Sequence, residues 1–156
     1  MTLAEALIYR KDILENNTRL LNRISKNAIV TEGTKPQEDP EKLLSQLRDN
    51  FRKITNLIAS INHTNMNVSI GKMTLADALA HRQILELEIT ALTNVRNACY
   101  VYNRGKKKDD LKDVSLLKVT NLTKEINGKS TELRKLNAEI QKVNWITDLM
   151  EVELEE

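Results

Sequence analysis

A ten-residue segment occurs twice in this chain. Met1-Thr2-Leu3-Ala4-Glu5-Ala6-Leu7-Ile8-Tyr9-Arg10 returns as Met73-Thr74-Leu75-Ala76-Asp77-Ala78-Leu79-Ala80-His81-Arg82, with seven of the ten positions identical. A repeat at this separation divides the 156 residues into two similar halves, so one supersecondary plan should appear twice. Each copy opens like a helix. Thr2 or Thr74 stands at the N-cap, and Glu5 or Asp77 follows three residues later to close a capping box.

Downstream of each start the apolar spacing is helical. Leu3, Leu7, Leu14, Leu21, Ile24 and Ala28 predict a first helix over about 3–28, its stripe interrupted at Arg10 and Asn17. Residues 30–38 carry Gly33 and Pro36 and read as a loop, after which Asp39-Pro40 supplies an N-cap and a proline at the first helical position. The second helix has the most regular stripe: Leu44, Leu47, Phe51, Ile54, Ile58, Ile61 and Asn65. Leu75, Leu79, Leu85, Ile89, Leu92, Cys99 and Tyr102 mark a third helix. A charged loop over 103–113 separates it from a fourth helix over about 121–150, marked by Leu122, Ile126, Leu133, Leu136, Ile140, Val143 and Met150. Gly128 lies inside that fourth helix and is a candidate kink. Val114 to Val119 leans towards β structure and is expected to pair with Ile29-Val30-Thr31 at the hairpin tips.

The expected fold is all-α: two tandem antiparallel helical hairpins forming an elongated four-helix, coiled-coil-like bundle within a single domain, 1–156. The first repeat covers 1–65, a linker 66–73, the second repeat 74–150, and an acidic tail 151–156 is expected to fray. Helices of about 27 residues run roughly 40 Å, whereas an eight-residue linker spans at most about 28 Å. Both hairpins should therefore root at one end.

Composition agrees with helices and excludes several alternatives. Aromatic residues make up 3%, with four Gly and two Pro, which argues against a sandwich, a barrel or a glycine-looped nucleotide fold. Lys and Arg total 24 against 22 acidic residues, a net +2 that gives no field favouring nucleic acid. Cys99 is the single cysteine, so no intrachain disulfide forms, and two histidines leave few ligands for zinc. No cofactor is expected. The start of the chain has no cationic, apolar or cleavage-site pattern, and 54–71, though uncharged, is too rich in asparagine to span a bilayer. A cytoplasmic location is the expectation.

Common rooting would gather a polar cluster at the base from Glu5, Arg10, Asn62, Asn65, Asp77, Arg82, Asn144 and Trp145. Arg10 and Arg82 occupy equivalent repeat positions in or beside the apolar stripe. They read either as structural arginines fixing the register or as an anion site, and the asparagines either as helix caps or as the lining of a small pocket. At the second tip Arg104, Lys106, Lys107 and Lys108 form a basic group, opposite in sign to the acidic first tip of Glu32, Glu38, Asp39 and Glu41. His81 reads as a packing residue, Glu86 and Glu88 as solvated, and Cys99 as core filling. A ferritin-like metal site needs glutamate three residues before histidine, and those positions hold Ser60 and Ala78.

Five separated pieces carry a resemblance to a known family. They are Leu3-Ala4-Glu5-Ala6-Leu7 with Arg10; Asn27-Ala28 with Val30, Glu32 and Gly33; Ile61-Asn62 with Thr64-Asn65; Thr74-Leu75-Ala76-Asp77-Ala78-Leu79 with Arg82; and Asn144-Trp145. In these the chain resembles the septicolysin-like family of small bacterial helical proteins. The resemblance implies a long coiled-coil-like fold and, by family name, a pore-forming cytolysin. It brings no catalytic residues.

The function expected from the residues is that of a non-enzymatic scaffold or interaction protein, a homo-oligomer joined through apolar helix faces. The alternatives are a cytolysin whose amphipathic hairpins insert into a membrane surface, and a small-anion or ligand binder at the polar base.

Overall fold

The computed structural model describes residues 1–102 and 105–154. The described elements run α1 (Leu3–Asn27), α2 (Pro40–Asn67), β1 (Ser69–Ile70), β2 (Met73–Thr74), α3 (Leu75–Ala98) and α4 (Val119–Ile146). The chain is thus mostly helical, as its composition requires. Among the described residues, no helix is long and apolar enough to cross a membrane. The residues divide into two compact units, Met1–Ala76 with the chain from Gln141 on, and Asp77–Ile140.

In the first unit α1 starts as its sequence dictates. Glu5 N–H donates to Thr2 Oγ1 at 3.2 Å, and Thr2 N–H donates to Glu5 Oε2 at 2.8 Å, so the capping box is closed in both directions. Asp39 caps α2 by accepting from Glu41 N–H at 3.0 Å, and Pro40 takes the first helical position, where no donor is needed.

Between the helices, Thr34 N–H donates to Thr31 O at 2.9 Å across a turn whose third residue, Gly33, has φ +84. That is a type II requirement, which glycine meets without steric cost. Asn27 fastens the loop: its Nδ2 donates to Arg23 O and its Oδ1 accepts from Glu38 N–H.

α1 and α2 pack antiparallel, as the pairings of Asn17 with Asn50 and of Asn27 with Glu38 require. Leu20, Leu43 and Leu47 form a core cluster, flanked by Ile24 and Leu44. Leu3 on α1 and Leu47, Ile54 and Ile61 on α2 are buried as the stripes predict, but beyond Leu3 the buried line of α1 is displaced by one position, and α2 departs from its stripe in part. α1 buries Ala6, Ile13, Asn17, Leu20 and Asn27, while Leu14 and Leu21 are exposed. α2 buries Leu43, Leu47, Ile54, Leu57 and Ile61, while Phe51 and Ile58 are exposed. The reason is polar: Asn17 reaches Asn50 across the seam at 2.7 Å, so an asparagine that looked like an interruption belongs to the inward line.

Two further expectations are corrected. No strand pairs 114–119 with 29–31; Val119 begins α4, and the two-stranded ladder lies instead in the linker, Ser69 with Thr74 and Ile70 with Met73. Gly71, with φ +60 at the first of two loop positions, suits the II′ turn that closes such a hairpin. Of the segment expected to fray, 151–156, the described part is docked on α2 through the Val152 and Leu154 amides, and the chain just before it is bridged to the start of the chain. Thr147 O accepts from Leu3 N–H at 2.8 Å, Leu149 N–H donates to Met1 O at 2.9 Å, and Thr2 and Asp148 form an antiparallel bridge. Glu155 and Glu156 lie outside the described residues.

In the second unit α3 ends at Ala98, so Cys99 and Tyr102 fall beyond it, and α4 starts two residues earlier than expected and passes through Gly128 as continuous helix. Lys129 Nζ donates to Glu88 Oε2 at 2.8 Å and His81 Nε2 lies 3.3 Å from Glu132 Oε1, two side-chain pairs that link α3 to α4. Glu88, expected to be solvated, is half-buried in this pair. Ala78, Leu85, Ile126 and Leu136 are buried in this unit.

Candidate functional site

The residues expected at a polar base fall as follows. Glu5 is engaged in the α1 capping box, and the Thr2 backbone N–H and then its hydroxyl hold the Glu5 carboxyl below the usual carboxylate range. Arg10 is exposed on α1; on α2 Asn62 is exposed and Asn65 half-buried. Asn144 is buried near the end of α4 and its neighbour Trp145 is exposed. Asp77, exposed, and Arg82, half-buried, belong to the second unit. None of these eight side chains lines the hollows described here.

At the basic tip Arg104 lies outside the described residues. Lys106 Nζ donates to Leu111 O at 3.1 Å and Asp113 Oδ2 at 3.0 Å, and Lys107 N–H donates to Asp110 Oδ2 at 2.6 Å. The acidic neighbours therefore tie this loop to itself, and the side chains of Lys107 and Lys108 remain exposed. The same loop displays apolar residues: Leu111 is 95% and Leu116 96% exposed. Val95, Ala98, Cys99, Val101, Val114, Leu116 and Leu117 surround a hollow of about 380 Å³. Cys99 is half-buried there as a free thiol.

A second hollow, of about 490 Å³, lies where α1 ends, between Arg23, Lys26, Lys35 and Glu38. Arg23 Nε donates to Glu38 Oε2 at 2.9 Å and its Nη2 to Glu38 Oε1, a two-pronged clasp. The pair holds the Glu38 carboxyl below its usual range and the Arg23 guanidinium above its own. Both partners are largely in water, where such a pair contributes little to stability. Among the described residues no cluster of His, Cys, Asp and Glu is suited to hold a metal ion.

Four exposed apolar side chains on the first two helices are not accounted for by the packing within the hairpin. On α1, Leu14 and Leu21 are 47% and 51% exposed; on α2, Phe51 and Ile58 are 51% and 39% exposed. At 100° per residue, Leu14 and Leu21 stand about 90° to one side of the buried α1 line. Phe51 and Ile58 stand to the corresponding side of α2, and because the helices are antiparallel the two displacements coincide on one side of the hairpin. Heptad spacing within each pair, seven residues apart, extends the strip lengthwise. The sequence stripes contained all four residues but placed them in the seam rather than on the surface.

A family model described as a family of unknown function (DUF6847) matches residues 10–149. The chain is also similar to a solved structure, a functionally unknown conserved protein from Corynebacterium diphtheriae. The two are 31% identical over 96% of this chain and 99% of that one, with a TM-score of 0.83. No curated protein matches.

Proposed function

We propose, from the premise that the chain belongs to the DUF6847 family of unknown function, that it is a non-enzymatic helical interaction protein that self-associates through the apolar strip of the α1–α2 hairpin. The observation that carries this reading is the exposure of Leu14, Leu21, Phe51 and Ile58 on one side of a hairpin whose other apolar line is already buried. Contiguous apolar surface of this kind gains about 25 cal/mol for each Å² removed from water, which a second copy of the same strip can supply by two-fold pairing. The finer architecture belongs to this proposal: tandem antiparallel hairpins, the second repeating the plan of the first within an elongated four-helix, coiled-coil-like bundle. Light scattering tests it. The expected mass exceeds one protomer and falls to one protomer in Leu21→Asp with Phe51→Asp. A single-protomer mass of the unsubstituted protein at every concentration refutes the proposal.

A second reading is favoured by the loop after α3, where Leu111 and Leu116 stand almost wholly in water beside Lys106, Lys107 and Lys108. Apolar side chains next to lysines suit an anionic membrane surface, the contact that the septicolysin-like resemblance and its cytolysin alternative require. Sedimentation with anionic vesicles and dye release separate surface binding from insertion. Neither binding nor release, with vesicles rich in anionic lipid at low salt, refutes this second reading.

A further inference from the structure

The segment from Thr147 to Leu154 is held by its main chain. Past the bridge to Met1–Leu3, the amides of alternate residues turn towards α2. Met150 N–H donates to Thr64 Oγ1 at 2.9 Å, Val152 N–H to Ser60 Oγ at 2.9 Å, and Leu154 N–H to Asn56 Oδ1 at 3.4 Å. The acceptors sit four residues apart and so form one row along the helix. Thr64 is fully buried and Ser60 nearly so.

Each hydroxyl already gives its own proton along α2, Thr64 to Ser60 O at 2.7 Å and Ser60 to Asn56 O at 2.8 Å. That orientation turns an oxygen lone pair outward to accept an incoming N–H. Beside the row a hollow of about 260 Å³ is lined by Tyr9, Lys53 and Leu57 from the helices and by Leu149, Glu151 and Glu153 from the segment.

We propose that this row and its hollow form a docking site for an extended acidic peptide segment, and that the partner it fits is residues 150–154 of a second copy of this chain, which takes the place of the resident segment. The recognition is of main-chain N–H groups at alternate positions, so it does not require the occupant to be covalently continuous with the helices that bind it. Lys53 lines the same hollow as Glu151 and Glu153, and its charge favours an acidic occupant. The site stands apart from the apolar strip, and the two proposals fail independently.

The test uses a variant that stops after Leu149 and an acetylated peptide with the sequence of residues 149–154, followed by nitrogen-15 NMR. Saturable shifts at the Asn56, Ser60 and Thr64 amides are expected, retained in Phe51→Asp and weakened about fivefold in Lys53→Glu. The same shifts are expected when unlabelled full-length protein replaces the peptide. No saturable shift with millimolar peptide overturns the site, and peptide binding without binding of the second copy overturns the choice of partner. Should the shortened variant fail to fold, the full chain supplies the other arm. Ser60→Ala is expected to speed hydrogen exchange at the Val152 amide about fivefold, with Leu20 and Leu47 unchanged. Equal exchange at Val152 in the two proteins overturns the proposal.

Discussion

Replacing Leu20 with alanine, and in a separate protein Leu21 with alanine, removes the same atoms from adjacent positions in two different environments. Leu20 is 1% exposed and packs against Leu43 and Leu47; Leu21 is 51% exposed. The first change loses the full transfer free energy of the side chain and leaves a cavity, a cost of about 3 kcal/mol within the usual range of roughly 2–5. The second loses about half the burial with no enclosed cavity, about 1 kcal/mol at most. For a chain of this size 1 kcal/mol moves the midpoint by about 2–4 °C. The expected drops in Tm are therefore about 6–12 °C and under about 4 °C. Urea unfolding followed by circular dichroism at low protein concentration measures the difference, with an unchanged urea slope confirming that the unfolded state is comparable. A Leu21→Ala protein as unstable as Leu20→Ala refutes the inward line assigned to α1. At high concentration Leu21→Ala should additionally lose mass in light scattering, because the strip rather than the core is then affected.

Gly128→Ala is expected to stabilise the protein by about 0.5–1 kcal/mol in thermal unfolding, since the position is helical and an added Cβ meets no atom within 4 Å. Asn50→Ala should cost about 1–3 kcal/mol by leaving Asn17 buried without its cross-helix donor. The Asn17→Leu, Asn50→Leu pair should be neutral or stabilising, because Asn17 Nδ2 already lacks a partner; urea midpoints decide both. Acid should loosen both ends of α1. The Glu5 and Glu38 carboxyls are lowered in the folded state, so their contribution is present above the unfolded carboxylate value and is lost as pH falls through the lowered folded value. NMR titration should show the Leu3–Glu5 amides moving together with the Glu5 carboxyl, and Glu5→Gln should remove that step. The Lys129 ammonium is raised by Glu88, so its share is present below the unfolded lysine value and is lost as pH rises through the raised one.

Helix starts were the most legible part of this sequence, because Thr2 with Glu5 and Asp39 with Pro40 act locally and need no tertiary context. The seam was legible only in part. A search for leucine and isoleucine at three-four spacing finds Leu7, Leu14 and Leu21. The line that is buried passes through Asn17, whose Oδ1 accepts from Asn50, and Asn27, whose amide is paired with Arg23 O and Glu38 N–H. The linker hairpin was missed because two residues per strand give too short an alternation to register beside long helices. Residues 151–156 were read as frayed from their charge, yet as far as Leu154 they are held by backbone amides, which charge does not report. Of the expected site residues, Glu5 is accounted for by helix capping. The docking row of Asn56, Ser60 and Thr64 gave one signal that was available, small polar residues every fourth position on a single helix.

That row also carries an offset, as a vernier does. Two residues of extended chain advance about 6.6 Å, while four residues of helix advance about 6.0 Å, so each successive rung falls behind by about 0.6 Å. The donor–acceptor distances are 2.9, 2.9 and 3.4 Å, and the last rung, the longest, is met by the longer side chain of Asn56. A straight strand laid on a straight helix in this way therefore loses step with each contact it adds.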